Sequence, residues 1–271
     1  MKIFKTKHKL QKEILNMKNI TFVPTMGGLH KGHISLIRKS KTYKGLCLVS
    51  VFVNPKQFNE NKDFISYPRD IKKDLKILNK LKVDFVFIPK NKEIFSFKTK
   101  KEIFLDKTSK ILCGKFRKGH FLGVVNVVNR FLDIISPKYL FLGLKDFQQF
   151  YLINKHIEKR GIKTKVIPCK IIREKSGIPL STRNDNIQKS QLNVASKVYR
   201  YLKSKKKKIK KDLKYFDLSI FKKDLLELGV EKIDYIEIYN INNLNKPKSK
   251  NENFKIFIAY YLNKVRLIDN V

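Results

Sequence analysis

The sequence predicts a doubly wound α/β fold, in which a parallel sheet carries helices on both faces, followed by a second and smaller α+β domain. Short apolar runs alternate with amphipathic helical stretches over residues 1–172, as in chains that build parallel sheets. The run at residues 46–53 is apolar throughout, which is typical of a parallel strand buried on both faces. After Arg173 two helical stretches precede three strand-like runs, so we expect a separate domain over residues 173–271.

The spacing of apolar residues predicts the elements of the first domain. Ile3 lies in a short strand, and the residues up to 18 add a helix. The other predicted strands are at residues 20–23, 46–53, 83–88, 139–142 and 165–172. One further helix is predicted from after Gly32 to about residue 42, and another starts at 67–70 and runs through 81. Two more are predicted over residues 121–135 and from after Asp146 to about residue 160. We expect residues 91–109 to lie outside the sheet and residues 114–120 to form a basic loop.

The second domain is predicted from the same kind of pattern. Residues 174–186 read as a polar connection that contains Gly177 and Pro179. Helices are predicted near residues 191–207 and 218–228, and strands at 235–239, 254–261 and 265–268.

The chain carries a large excess of positive charge that does not by itself identify a partner. Its 271 residues include 61 Lys and Arg against 23 Asp and Glu, a formal net charge of +38. The lysines are spread along the chain with abundant Ile, Asn, Phe and Tyr, a profile that indicates an AT-biased genome. Residues 205–208 form a local run of lysines, and such runs are usually solvated. We expect no specific nucleic-acid partner, and any DNA binding should be lost steeply with salt.

Cysteine usage and hydropathy favour a cytoplasmic protein with no membrane partner. No apolar run is long enough to span a bilayer, and the basic residues 1–12 are not followed by the features of a signal peptide. Cys47, Cys113 and Cys169 are an odd number of widely spaced cysteines. We therefore expect buried thiols in a reducing compartment.

The stretch ITFVPTMGGLHKGH contains the strongest candidate for a functional site. Its apolar start predicts a buried strand that Pro24 ends, and Gly27 and Gly28 allow a turn. His30 and His33 then precede a helical pattern. The first turn of a helix has unpaired N–H groups that attract phosphate, and imidazoles there can bind phosphate oxygens. The alternatives are a helix cap with a packed side chain, or zinc, which is a poor fit because no third ligand lies at metal spacing.

The residues His30, Lys31, Gly32 and His33 resemble the H-x-G-H signature of the nucleotidyltransferase superfamily, which includes class I aminoacyl-tRNA synthetases. They form neither a Rossmann G-x-G-x-x-G string nor a Walker loop. The longer string PTMGGLHKGH resembles the pantothenate synthetase family, the pantoate–β-alanine ligases, and this resemblance covers nearly the whole chain. It implies a Rossmann-like nucleotidyltransferase domain that binds ATP and pantoate, a C-terminal domain that closes over the site, and a homodimer.

The resemblance implies a nucleotide site with four candidate catalytic residues. His33 is the candidate proton donor, with His30 as a phosphate ligand, Lys145 as a second phosphate ligand and Arg183 beside the leaving pyrophosphate. The residues expected to bind ATP are Met26, Gly27, Gly28, Leu29, His30, Lys31, Gly32, His33, Gly143, Leu144, Lys145, Asp146, Ile172, Leu180, Ser181, Thr182 and Arg183. Mg²⁺ is expected with ATP, and no protein ligand is assigned to it.

The resemblance also implies the groups that bind the other two substrates. Gln57 is expected to contact both pantoate and β-alanine, because an amide both donates and accepts hydrogen bonds. Asn54 lies in the same segment, Gln149 is expected to bind pantoate, and Arg117 belongs to a basic loop beside the nucleotide. The chain departs from the family pattern at Leu144, Ser176, Pro179 and Thr182.

The reaction that the resemblance implies is the ATP-dependent condensation of (R)-pantoate with β-alanine. Pantoate would attack the α-phosphorus of ATP to give pantoyl adenylate and pyrophosphate, and the amine of β-alanine would then displace AMP. One alternative is another H-x-G-H adenylyltransferase of cofactor biosynthesis, which would lack the motifs around Gln57 and Lys145 together. The other is a basic nucleic-acid-binding protein, which would need no histidine pair between a strand and a helix.

Overall fold

A computed structural model describes residues 1–59, 64–65 and 67–271 of the chain. The chain divides into two compact units, Met1–Lys170 and Ile171–Val271. Each unit has its own sheet.

The first unit is built on a parallel sheet, as the sequence predicts. The strands pair in the order β1–β4–β3–β2–β5–β6, and every pairing between neighbours is parallel. Their bounds are β1 (Lys2–Phe4), β2 (Ile20–Thr25), β3 (Leu46–Val51), β4 (Phe85–Phe87), β5 (Tyr139–Gly143) and β6 (Lys165–Cys169).

The strand order reverses between β2 and β5. From β2 the chain runs outward through β3 to β4, which pairs with the edge strand β1, and it then returns to the other side of β2 to build β5 and β6. In doubly wound sheets, ligands bind beyond the carboxyl ends of the strands at such a switch point. The loops that follow β2 and β5 therefore lie where a ligand is expected.

Helices cover both faces of this sheet. The described helices are α1 (Lys7–Ile14), α2 (Lys31–Ser40), α3 (Ile71–Lys80), α4 (Asn91–Phe95), α5 (Cys113–Phe116), α6 (His120–Ile135) and α7 (Phe147–Lys159). On one face, Ile37 of α2 and Leu78 of α3 belong to the same buried cluster as Val49 of β3. On the other face, the ring of Phe131 in α6 lies 5.5 Å from that of Phe22 in β2. These two apolar layers confirm the doubly wound prediction.

Two local predictions for this unit were wrong. Residues 114–120 are not one loop, because Cys113–Phe116 is a short helix and His120 already begins α6. Pro24 does not end its strand: β2 continues to Thr25, and Pro24 pairs in register with Ser50. Because β5 pairs with β2 only at Thr21 and Phe22, no strand on that side needs an N–H from residue 24.

The second unit is α+β, again as predicted. Its antiparallel sheet has the order β7–β8–β9, with β7 (Lys232–Asn240), β8 (Phe254–Leu262) and β9 (Val265–Asn270). The helices α8 (Lys189–Ile209) and α9 (Leu218–Glu227) contribute Leu202 and Leu225 to a core that also contains Ile236, Ile256 and Ile258. In the part of the chain that the structure describes, no helix combines the length and apolar character needed to cross a membrane.

A buried histidine joins α6, α7 and the segment before α5. The backbone N–H of Phe104 donates to Nδ1 of His156 at 3.1 Å, so the proton of the neutral ring lies on Nε2, which is 3.1 Å from Oδ1 of Asn129. The amide of Asn129 in turn donates to the carbonyl of Lys101 at 2.7 Å. Burial, assisted by the nearby charge of Arg160, lowers the pKa of His156 to about 4.

Protonation of His156 should therefore destabilise the fold. Because its pKa is about 4 in the folded protein against 6.5 as its ordinary value, its contribution is present above pH 6.5 and is lost as the pH falls toward 4. The free energy of unfolding should drop by about 2 kcal/mol between pH 7 and pH 5 from this group. Urea titrations at both pH values would measure it.

The variant His156→Gln isolates this contribution, because glutamine does not titrate. The variant should lose about 2 kcal/mol less than the wild type between pH 7 and pH 5. His8→Gln, at an exposed histidine of α1, is the matched control and should keep the wild-type difference. An identical pH dependence in His156→Gln and the wild type would show that His156 is not responsible.

Candidate active site

The two histidines of the H-x-G-H string cap α2 at the carboxyl end of β2. His30 is the N-cap residue, and its Nδ1 accepts a hydrogen bond from the backbone N–H of Gly32 at 3.0 Å. His33, three residues later, accepts the backbone N–H of His30 on its own Nδ1 at 3.3 Å. The two rings lie 4.2 Å apart between centroids. This reciprocal capping box fixes both imidazoles at the helix N-terminus, where anions bind.

The capping bonds determine which ring nitrogen can serve a ligand. Because Nδ1 accepts a hydrogen bond in His30 and in His33, the proton of each neutral ring lies on Nε2. Burial and the neighbouring His30 lower the pKa of His33 to about 3, and Lys145 acts in the same direction while Asp146 opposes it. His33 is therefore neutral near pH 7. Its Nε2–H suits hydrogen bonding to a phosphate oxygen, and the role of His33 as a proton donor stays a prediction.

A buried carboxylate from α3 holds the turn that precedes the histidines. Asp74 is 2% exposed, and its two oxygens accept the backbone N–H groups of Gly28 at 3.0 Å and Leu29 at 2.8 Å. Gly27 has a φ of +82°, and a Cβ built there would lie 2.9 Å from Oδ2 of Asp74. Glycine at position 27 therefore permits both the turn and the close approach of the carboxylate.

The segment after β3 holds the amide of Gln57 in a fixed position. Its Nε2 lies 2.6 Å from the sulfur of Met26, and its Oε1 accepts from Nδ2 of Asn54 at 3.3 Å. Asn54 is 1% exposed, and its amide also donates to the carbonyl of Gly123 in α6 at 3.1 Å. The structure thus brings three predicted site residues together, one from the turn after β2 and two from the turn after β3.

Arg117 and His120 fasten the same segment through its backbone. Nδ1 of His120 lies 2.7 Å from the carbonyl oxygen of Gln57, so Nδ1 carries the proton and donates. Arg117 donates to the same carbonyl from Nη2 at 3.2 Å, and its Nη1 lies 3.1 Å from Nε2 of His120. Arg117, a predicted substrate-binding residue, therefore contacts the backbone of another one.

The turn after β5 brings charged groups to the switch point. Residues 144–146 form one turn of 3-10 helix before α7, and Nζ of Lys145 lies 3.6 Å from Oδ1 of Asp146. Asp146 is the N-cap residue of α7, yet its side chain makes no capping bond to the described backbone. Because both charges act on the pKa of His33, these residues share its electrostatic environment.

Two neighbouring glutamines at the start of α7 have different roles. Gln148 is 6% exposed, and its amide accepts the backbone N–H of Cys113 and donates to the carbonyls of Thr108 and Ile111, at 2.8 to 3.1 Å. Gln149, the residue predicted to bind pantoate, is half-buried. The structure therefore assigns Gln148 to the core, and the binding of pantoate by Gln149 stays a prediction.

The remaining predicted nucleotide-binding residues belong to the second unit. Ile172 is half-buried, and its carbonyl accepts the backbone N–H of Leu180 at 3.0 Å. Ser181 caps a short 3-10 helix, Thr182–Asn186, by accepting the N–H of Arg183 at 3.3 Å. Thr182 is 8% exposed, and Arg183 is half-buried.

The hydrogen-bond donors of this site fit a nucleoside triphosphate better than they fit a metal ion held by protein side chains alone. The turn after β2 provides the start of a helix and two imidazole Nε2–H groups, and Lys145 adds a cation. Over residues 1–59, 64–65 and 67–271, no group of three or more His, Cys, Asp or Glu side chains is arranged to hold a metal ion.

Sequence reasoning missed two residues that hold this site. Asp74 lies in the helical pattern after Tyr67, where an acidic residue is expected to be exposed, whereas the structure buries it. His120 stood in a segment predicted to be a basic loop. A signal existed only for His120, because its neighbour Arg117 was already a candidate.

The fold and the site together define the class of protein. A doubly wound sheet whose switch point carries a histidine-capped helix, with a lysine after the adjacent strand, is a nucleotidyltransferase-like α/β arrangement.

Comparison with known proteins identifies the family. The family model described as pantoate-beta-alanine ligase matches residues 2–271. A pantothenate synthetase of Endomicrobium trichonymphae is 39% identical over 284 residues, which cover 100% of this chain and 97% of the relative. The chain therefore belongs to the pantoate–β-alanine ligase family.

Solved structures agree with this assignment. The crystal structure of pantothenate synthetase from Thermus thermophilus has a TM-score of 0.91 at 28% identity, with 100% of this chain and 99% of that chain covered. The pantoate-beta-alanine ligase from Francisella tularensis, complexed with beta-gamma ATP and beta-alanine, has a TM-score of 0.82 at 36% identity, with 100% and 97% covered.

Removing the carboxylate of Asp74 should loosen the turn before the histidines. In Asp74→Ala the N–H groups of Gly28 and Leu29 lose their acceptor, and each unpaired buried group costs roughly 1–3 kcal/mol. We expect the free energy of unfolding to fall by about 2–6 kcal/mol in urea titrations. Hydrogen exchange at Gly28 and Leu29 should become faster.

The control for this change is Asp70→Ala, in the N-cap residue of the same helix. Asp70 accepts the backbone N–H of Lys73, so its loss should cost about 1 kcal/mol. Hydrogen exchange at Gly28 and Leu29 should stay at the wild-type rate. Equal exchange in the two variants would contradict the assigned role of Asp74.

Proposed function

We propose that the protein is an AMP-forming C–N ligase that condenses (R)-pantoate with β-alanine and cleaves ATP to AMP and pyrophosphate. The observation that carries this proposal is the pair His30 and His33, which cap a helix at the switch point in a chain that the family model matches over residues 2–271. The relative from Francisella tularensis is complexed with beta-gamma ATP and beta-alanine, which supports two of the three substrates.

In the first step, a carboxylate oxygen of pantoate attacks the α-phosphorus of ATP and the bond to the β-phosphate bridging oxygen breaks. Pantoyl adenylate forms and pyrophosphate leaves with the electron pair. The Nε2–H groups of His30 and His33 would donate to phosphate oxygens as charge develops there. Lys145 would neutralise phosphate charge, and Arg183 would bind the leaving pyrophosphate.

In the second step, the amine of β-alanine attacks the acyl carbon of the adenylate and AMP leaves. The amide of Gln57, held by Met26 and Asn54, is suited to bind a hydroxyl and a carboxylate together, and Gln149 would add a second amide for pantoate. A cysteine acyl carrier is not needed. Burial raises the pKa of the Cys47 thiol, and it raises that of Cys169 to about 11, so neither is an activated nucleophile.

We extend the proposal to the metal and to the arrangement of the enzyme in the cell. Mg²⁺ would offset charge on the phosphates, and the carboxylate of Asp146 fits an ion that is bound mainly by phosphate oxygens and water. Ser181 and Thr182 would bind ATP beside Arg183. We further propose a cytoplasmic homodimer, as the family resemblance implies.

Half-reaction measurements test the proposed function. Enzyme mixed with ATP, Mg²⁺ and pantoate, but no β-alanine, should release about one pyrophosphate per active site and then nearly stop, because the site must keep water from a reactive mixed anhydride. Adding β-alanine should then release AMP. Rapid-quench analysis follows both products. Pyrophosphate that appears only after β-alanine is added would contradict the two-step order.

Replacing His33 tests the role of the neutral imidazole. His33→Ala should lower turnover on the order of a hundred- to a thousandfold, the scale for losing one donor to the transition state. Steady-state assays measure the loss, and His8→Ala is the control that should keep wild-type turnover. Because His33 is neutral, its contribution to turnover should not change with pH around 6.5, the ordinary pKa of an imidazole. Wild-type turnover in His33→Ala would remove the residue from the mechanism.

A further inference from the structure

One ion pair of the second unit, between the half-buried Arg173 and the buried Asp269, contacts the segment that leads into Ser181 and Arg183. Nη1 and Nη2 of Arg173 donate to the two carboxylate oxygens of Asp269 at 2.7 and 2.8 Å. The side chains are 17% and 6% exposed. A bidentate pair of this kind fixes both position and orientation.

Arg173 uses its remaining Nη hydrogens on backbone carbonyls. Nη1 also donates to the carbonyl of Gly177 at 2.9 Å, and Nη2 donates to that of Asn270 at 3.1 Å. Its guanidinium carbon lies 4.2 Å from the centre of the Tyr199 ring. The residue thus connects the last strand, β9, with helix α8 and with the segment around Gly177.

That segment is a tight hairpin, and each of its two ends carries a residue that is predicted to bind the nucleotide. Arg173 and Pro179 form an antiparallel bridge, and the N–H of Leu180 donates to the carbonyl of Ile172 at 3.0 Å. Gly177 has a φ of +92°, and a Cβ there would lie 2.1 Å from the Tyr199 ring. The hairpin is therefore packed against the same ring that Arg173 covers.

The hairpin is joined directly to the hydroxyl and guanidinium loop. Nδ2 of Asn184 donates to the carbonyl of Pro179 at 3.0 Å, and Ser181 caps the short helix that contains Arg183. A series of contacts therefore links the loop that carries Arg183 to the Arg173–Asp269 pair.

We infer that Arg173 and Asp269 are positioning residues for the proposed ligation, which hold the Ser181–Arg183 loop in the geometry that receives the leaving pyrophosphate. This inference rests on the proposed function, because it assigns the loop to the first half-reaction. The expected consequence is selective: loss of the pair should slow formation of the adenylate and leave its discharge by β-alanine nearly unchanged.

The chain offers a matched control within the same unit. Nε of Arg266 lies 2.7 Å from Oδ2 of Asp234, and these side chains are 17% and 5% exposed, almost the same as in the first pair. This second pair joins β9 to β7, and both of its residues lie outside the hairpin of residues 172–180. Asp269→Asn and Asp234→Asn therefore make the same chemical change at similar burial.

The experiment compares single-turnover pyrophosphate release and adenylate discharge in the two variants, with unfolding in urea measured for both. Asp269→Asn should slow pyrophosphate release on the order of ten- to a hundredfold, since small displacements of positioning groups can cost that much. Its rate of AMP release on adding β-alanine should stay within about twofold of wild type. Asp234→Asn should keep both rates.

Equal rates in the two variants, or equal slowing of both half-reactions in Asp269→Asn, would overturn the inference. If Asp269→Asn does not fold, Arg173→Lys decides in its place, because lysine keeps the charge and loses the bidentate contact. It should then slow pyrophosphate release selectively, and unchanged release would also overturn the inference. A wild-type enzyme that releases no pyrophosphate with pantoate and ATP would instead contradict the proposed function.

Discussion

The site of the first unit depends on the hydrogen bonds that the buried carboxylate of Asp74 accepts. Burying Asp74 costs free energy unless hydrogen bonds replace its lost hydration, and the N–H groups of Gly28 and Leu29 provide them. The same two bonds fix the turn that sets where α2 begins. The capping box of His30 and His33 can then form, because its geometry requires the backbone to enter the helix at one defined residue.

The large net charge of the chain is not concentrated at the candidate site. The formal charge of +38 is spread over the chain, whereas Lys145 lies 3.6 Å from Asp146 at the switch point. Both imidazoles there use Nδ1 for capping, and His33 has a pKa of about 3. Phosphate would thus be bound largely by neutral donors and a helix N-terminus, while the distributed surface charge could only attract anions from a distance.

Much of the fold could be predicted from the sequence, because strand and helix spacing is a local property. The run at 46–53 indicated a buried parallel strand, and β3 forms within it. The end of the strand that contains Pro24 could not be predicted from the sequence. Whether β2 tolerates proline at this position depends on how far along β2 the pairing with β5 extends. Likewise, the short helix Cys113–Phe116 has no periodicity long enough to detect.

The site could be predicted only where chemistry and sequence motif coincide. The histidine pair, Gln57 and Lys145 lie in motifs, and all of them follow strands at the same edge of the sheet. Asp74 and Asp269 lie in no motif, because each acts through backbone or a partner distant in sequence, 45 or 46 residues away for Asp74 and 96 for Asp269. Such residues become visible only when the fold brings their partners together.

The neutrality of His33 constrains how the proposed reaction can be divided among side chains. A neutral imidazole gives a hydrogen bond without bringing a charge that must be desolvated, so it can stabilise phosphate charge without binding the product AMP as tightly as a cation would. The positive charge that offsets the phosphates must then come from other side chains, and these side chains must also be able to release the pyrophosphate. Arg183 lies on a short loop that Asn184 joins to the carbonyl of Pro179 in the neighbouring hairpin, and this placement would suit a cation that is needed in one half-reaction only.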